Sequence, residues 1–156
     1  MGMTFDMEGF GGLSGDISLF GGLRFEDMAK KVLEDVRGDM EEGTKRALRT
    51  SIDHPGDSEL VNSVKCYEPA MTRNGEGAKL VCQPTGRSTS GNRYHTVSRG
   101  KTISKPVTNN DKAFWLEYGV AGRQAAKPWK DRATNSIEGK VTPKIEQAIA
   151  KELGAT

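Results

Sequence analysis

Val64-Lys65-Cys66-Tyr67-Glu68 and Lys79-Leu80-Val81-Cys82-Gln83 decide the fold of this 156-residue chain. In the first, Val64, Cys66 and Glu68 alternate with Lys65 and Tyr67; in the second, Leu80 and Cys82 share one face, and Asn74-Gly75 between the two is a turn signal. A period of two on both sides of a turn predicts a β-hairpin. Further on, Tyr94, Thr96 and Ser98 alternate with His95 and Val97 and predict a third strand. Residues 101–107 are read as a fourth, ending near Pro106 and the polar Thr108-Asn109-Asn110-Asp111.

On both flanks the period becomes helical. Phe25, Met28, Ala29, Val32, Leu33, Val36, Met40, Ala47 and Leu48 recur at three- and four-residue steps, opposite Lys30, Lys31, Glu34, Asp35, Arg37, Glu41 and Glu42. This predicts an amphipathic helix of about 25 residues. Gly38 and Gly43 each cost about 1 kcal/mol against Ala, so its second half is expected to bend or fray. His54-Pro55-Gly56-Asp57 ends it, and Asp57 or Ser58 caps a short helical turn through Leu60 and Val61. Downstream, Trp129, Ala133, Ile137, Val141, Ile145 and Ile149 fall at four-residue steps. They predict a long C-terminal helix, with a kink or break at residues 140–142 imposed by Pro143. Segregated helices and antiparallel strands make the class α+β: an N-terminal amphipathic helix, an antiparallel sheet of three or four strands and the long C-terminal helix.

Residues 1–23 stand apart as an arm, leaving 24–156 as one domain. Seven glycines are interleaved there with ten apolar residues, and Phe10-Gly11-Gly12-Leu13 returns as Phe20-Gly21-Gly22-Leu23. Phe10, Leu13, Phe20 and Leu23 are apolar hooks on a backbone too permissive to hold a helix or strand unaided. Either the arm is a frayed, sticky terminus or it orders against a neighbouring subunit.

Composition excludes several classes. Leu, Ile, Val and Phe number 29 of 156 residues and net charge is only +2, so the chain folds around a lean core. No run of about 18 apolar residues is present to span a bilayer, and the acidic start (Asp6, Glu8, Asp16) has the wrong sign for a targeting segment. Cys66 and Cys82 lack CxxC spacing and read as reduced, half-buried thiols; with only His54 and His95 beside them, no metal site or other cofactor is expected. There is no GxSxG, HExxH, phosphate-loop or dinucleotide-loop pattern, so the reading is not an enzyme.

Charge placement says more. Residues 1–62 hold 13 acids and 7 bases, whereas residues 77–110 hold no acid and six bases, Lys79, Arg87, Arg93, Arg99, Lys101 and Lys105. Such a basic island can track a phosphate backbone or face an acidic helix of another subunit. Aromatic residues cluster in Ala113-Phe114-Trp115-Leu116-Glu117-Tyr118-Gly119 and in Lys127-Pro128-Trp129. Gly119 allows a sharp exit, and Pro128 suits the first turn of a helix. Glu117, set among aromatics, needs a donor: a backbone N–H, or Arg123 or Arg132.

These segments resemble the tail-completion or head-tail joining (neck) proteins of long-tailed bacteriophages and prophages. Ala113, Leu116, Glu117, Tyr118 and Gly119, with Trp115 at an aromatic place beside Phe114, are similar to that family's Glu-aromatic-Gly signature. Pro128, Trp129 and Ala133 are similar to its Pro-aromatic helix start, and Pro55, Leu60, Ser63 and Val64 to a segment after its first helix. Asp57-Ser58, Val120 and Arg132 depart from the pattern. The resemblance spans residues 25–153 and implies a non-enzymatic virion protein at the head-tail junction or tail end, assembled in the bacterial host cytoplasm. By the same implication its subunits form a ring, six by the usual tail symmetry, that meets a head connector or stopper and a tail-terminator or tail-tube protein. No membrane contact is expected, since no apolar run is long enough, and the arm and the basic loop from Arg87 to Lys105 are expected to reach neighbours or, transiently, the genome DNA. The rival readings are a small nonspecific nucleic-acid-binding module using residues 77–110, and a tail-terminator protein.

Overall fold

Leu23–Ser51 form one helix of 29 residues, α1. Its apolar stripe does what the spacing predicts: Met28, Ala29, Val32, Leu33, Val36, Met40, Ala47 and Leu48 are all buried. The computed structural model describes residues 3–6, 23–53, 58–71, 73, 78–152 and 154. The Phe10, Leu13 and Phe20 hooks, Pro55 and the Asn74-Gly75 turn lie outside the described residues, as do the side chains of Leu23 and Phe25.

Neither Gly38 nor Gly43 interrupts α1, contrary to expectation. Gly43 is buried, and a Cβ placed there would lie 2.5 Å from Cγ1 of Ile137. The missing side chain lets the C-terminal helix approach closely, and burial of the two facing stripes offsets the lost helix propensity.

After α2 (Ser58–Asn62) the chain enters a four-stranded antiparallel sheet made of β1 (Met3–Asp6), β2 (Val64–Cys66), β3 (Ala70–Met71) and β4 (Ala78–Pro84). The central strand is β4. Its one edge pairs with β2 and β3 in turn, and its other edge pairs with β1, Phe5 opposite Leu80. Met3–Asp6 therefore forms a strand inside the segment read as an arm, supported by the edge of β4. Ala78, Leu80, Cys82 and Pro84 alternate inward. Helix α1 covers this face, and Arg37 fastens it by donating from Nε and Nη2 to the Cys66 carbonyl at 3.1 and 2.9 Å.

Cys66 and Cys82 stand directly opposite across β2 and β4 and are joined as a disulfide, both buried. This corrects the expectation of reduced, half-buried thiols. Two inward positions at one register level of a hairpin are brought together by the pairing itself.

The third and fourth predicted strands exist but do not extend the sheet. Arg93–Ser98 (β5) and Lys101–Pro106 (β6) pair only with each other, as a two-stranded ribbon. No residue of either strand is buried, so neither has an apolar face with which to join the core.

Two helices complete the chain, α3 (Asn109–Tyr118) and α4 (Lys130–Glu152). The backbone of α4 stays helical through Pro143, so the expected break does not occur. Pro143 is exposed, while Val141 and Ile145 on either side of it stay in the core with Trp129, Ala133 and Ile137. The class is α+β, with α1 packed on the sheet and on α4.

Candidate functional site

Two regions hold the residues singled out from the sequence. The first is the corner between α3 and α4, where the two aromatic segments become one structure. Thr108 opens α3 with a capping box, its side chain accepting from the Asp111 N–H while the Asp111 carboxylate accepts from the Thr108 N–H. Gly119 closes it at φ 77°, ψ 175°, and its N–H donates to the Trp115 carbonyl. The chain then doubles back: Val120 and Gln124 bond to each other, and the Lys127 N–H donates to the Leu116 carbonyl at 2.7 Å. A Cβ on Gly119 would stand 2.8 Å from both Ala126 N and Gln124 O, so the return path fits only glycine.

Glu117 finds backbone donors rather than Arg123 or Arg132. Its Oε2 accepts from the N–H groups of Trp129 and Lys130 at 2.8 and 3.0 Å. The carboxylate thus caps the N-terminus of α4, satisfying two of its orphan donors at the positive end of the helix dipole. Arg132 lies within 3.4 Å of the Ser51 hydroxyl, and Arg123 lines a neighbouring cleft. Trp129 is fully buried, and its indole N–H donates to the Ala113 carbonyl at 3.0 Å. Its own carbonyl accepts from the Ala133 N–H, which places Pro128 just outside the helix rather than in the first turn. Leu116 and Ala133 are buried with it.

The remaining signature aromatics face outward. Phe114 and Tyr118, one helical turn apart, are 46% and 58% exposed and tilt against each other with ring centroids 4.8 Å apart. Trp115 is half-buried and meets Tyr94 of the ribbon edge-on at 5.6 Å. Beside it, a cleft of about 540 Å³ is lined by Ser51, Leu60, Lys112, Trp115, Arg123 and Lys127. Two of its cations are engaged in ion pairs, Lys127 with Asp53 and Lys112 with Glu59.

The second region is the β5–β6 ribbon, where Arg87, Arg93, Arg99, Lys101 and Lys105 are all exposed. Strand alternation puts Lys105, Lys101, Tyr94 and Ile103 on one face and Arg93, His95 and Val97 on the other. Arg99 and Gly100 form the two-residue tip, both at positive φ, 49° and 74°. That is the turn whose twist suits a tight hairpin. The structure does not merge corner and ribbon into one patch; Tyr94 on Trp115 links them.

Sequence reasoning missed the residues that hold the ribbon's root. Asn109 is buried, and its side-chain amide donates to the Thr85 carbonyl while its backbone N–H donates to Gly86 O. Glu59 accepts from the N–H and hydroxyl of Thr89, at 2.8 and 3.1 Å. The Thr89 N–H, aided by its hydroxyl and by Lys112, holds the Glu59 carboxyl below the ordinary value against the opposing effect of burial. The polar stretch from Thr85 to Asn92 gave no periodicity from which these contacts could be read. Among the described residues, no three His, Cys, Asp or Glu side chains come together as a metal site, and no helix is long and apolar enough to cross a membrane. No family model, curated protein or solved structure matches the chain.

Proposed function

We propose that this protein is a structural virion subunit that completes the tail end or neck of a long-tailed phage or prophage particle, joining tail to head as one member of a ring. The observation that carries the reading is the α3–α4 corner. The two segments resembling the family signature fold into one unit, in which the Glu caps the helix begun by the Pro-aromatic pair. The signature then describes a scaffold and requires no catalytic group.

A ring also needs surface that one subunit leaves open. Phe114 and Tyr118 offer a rigid aromatic pair on the outer side of α3, the residue type that anchors interfaces at low entropic cost. Contact between this pair and a different surface on the next copy is heterologous, the kind that builds a ring when the rotation between copies closes. Size-exclusion chromatography with light scattering tests it, on the chain alone and mixed with connector and tail-tube proteins. The expected result is a discrete ring, alone or with a partner, that Phe114→Ser with Tyr118→Ser dissociates without lowering the subunit's urea midpoint. A chain that stays monomeric with every such partner overturns the reading. A ring that binds the tube end but no connector moves the role to a tail terminator.

A further inference from the structure

We infer that the β5–β6 ribbon is a sequence-independent contact for the phosphate backbone of duplex DNA. The inference rests on the ribbon alone and stands whether or not the chain forms a ring.

Charge comes first. From residue 77 to 110 the chain holds no acid, and the five cations from Arg87 to Lys105 are all exposed. Their arrangement narrows the partner. Lys101 and Lys105 lie on one face, Arg93 on the other, Arg99 at the tip and Arg87 at the root, bridged to Thr108. A flat acidic protein surface would meet only one of these faces. The major groove of DNA, about 12 Å wide, admits a two-stranded ribbon and presents phosphates on both walls. Six-residue strands reach about 20 Å, enough to lie along it.

The ribbon is also held ready. Arg93 donates from Nε to the Ser104 hydroxyl and from Nη2 to its carbonyl, at 2.8 and 2.9 Å, which keeps the guanidinium on the surface of the pair. Tyr94 rests on Trp115, and Val107 N–H donates to Asn92 O across the root at 2.9 Å. Ordering costs that weaken binding by flexible loops are therefore already met at the base. At the tip, Arg99 occupies a left-handed position that favours Asn or Gly, so charge is placed there against local preference. Between the cations the strands carry four short hydroxyls, Thr96, Ser98, Thr102 and Ser104, along with the exposed apolar Val97 and Ile103 and with His95. The hydroxyls suit phosphate oxygens, and neither strand carries an Asn or Gln amide to read bases.

A second copy's first helix is the weaker occupant. From residue 27 to 51, α1 carries six acids and six bases. Its Glu34, Glu41 and Glu42 pair within the helix with Arg37, Lys45 and Arg46, and Asp39 pairs with Lys144. That surface is already neutralised.

The test is fluorescence anisotropy of the full chain with a labelled 30-base-pair duplex of arbitrary sequence, with light scattering on the same samples to record oligomeric state. Five phosphate contacts predict that affinity falls about 500-fold between 50 and 200 mM salt. Arg99→Asn with Lys101→Ser and Lys105→Ser, chosen because Asn tolerates the tip conformation, cuts that dependence to about 12-fold and leaves the urea midpoint in place. A nearly salt-independent affinity overturns the inference, as does a triple variant that binds like the parent. Poly-glutamate that displaces the duplex at equal charge concentration overturns it too, assigning the surface to an acidic protein. Loss of DNA binding with the ring intact, or the reverse, shows which of the two proposals fails.

Discussion

Between Ala113 and Ala133 the chain buries a tryptophan completely, threads a return path past a glycine with no room for a Cβ, and caps one helix with a carboxylate from another. Between Arg93 and Pro106 not one residue is buried. The corner spends its residues on being rigid, and substitutions there should register as stability. The ribbon contributes little to the core and presents cations, and substitutions there should register as binding. Reading both as one site because both are unusual in sequence would confuse a scaffold with a contact surface.

The largest test of this division is Trp129→Ala. Removal of a fully buried indole and its hydrogen bond to Ala113 is expected to cost about 3–5 kcal/mol, read as a lower urea midpoint of the subunit. With domain stabilities of about 5–15 kcal/mol, the variant would be near the edge of folding. An unchanged midpoint would make Trp129 an intersubunit anchor and erase the contrast between corner and ribbon.

Legibility divides along the same line. Both helical stripes could be read because a buried face imposes its period on the sequence: Val32, Val36 and Met40 lie on the inner side of α1, and Ile137, Val141 and Ile145 on that of α4. The strands of the ribbon were also legible as strands, yet not as a separate ribbon. Alternation reports the pleat, whereas joining a sheet needs an apolar face such as Ala78, Leu80 and Cys82 supply and Tyr94, Thr96 and Ser98 do not. Facts of close approach left no trace in the pattern. Gly43 looks like a helix defect until Ile137 is placed over it, and the Cys66–Cys82 pairing emerges only once register is known. For Glu117, the need for a donor was readable, but two N–H groups 12 and 13 residues away supply it, because the chain turns back on itself. The exposure of Phe114 and Tyr118 beside the burial of Trp129 could not be sorted by residue type alone.

Gly119→Ala sharpens the corner side of the comparison. At φ 77° and ψ 175° the position is nearly exclusive to glycine, and the new Cβ would press on Ala126 N and Gln124 O, backbone atoms that cannot rotate away. The expected cost is about 2–3 kcal/mol in urea denaturation. Gly122→Ala is the control: it also has positive φ, at 70°, but open space around it, and should cost only about 1–2 kcal/mol. Equal losses would mean that the fold of residues 120–128 is not set by the contact at Gly119.

The smallest effect lies where corner and ribbon share a root. Glu59 holds Thr89 and pairs with Lys112 of α3, so it ties the loop before β5 to the body. Its carboxyl is held below 4.5, chiefly by the Thr89 N–H. A carboxyl whose folded value lies below its unfolded one adds stability above the unfolded value, and that contribution is lost as pH falls through the folded value. The parent chain should therefore exceed Glu59→Gln in stability at pH 7, and the gap should shrink below pH 4.5 and close once both states are protonated. The protection factor of the Thr89 amide, the unfolded amide's exchange rate over its own at the same pH, should fall over the same interval while Trp129 Nε1 stays protected, because the indole N–H is satisfied by a carbonyl that does not titrate. A gap that persists undiminished into acid would show that Glu59 holds the root by shape rather than charge. Opening of the indole together with Thr89 would show that corner and ribbon unfold as one unit.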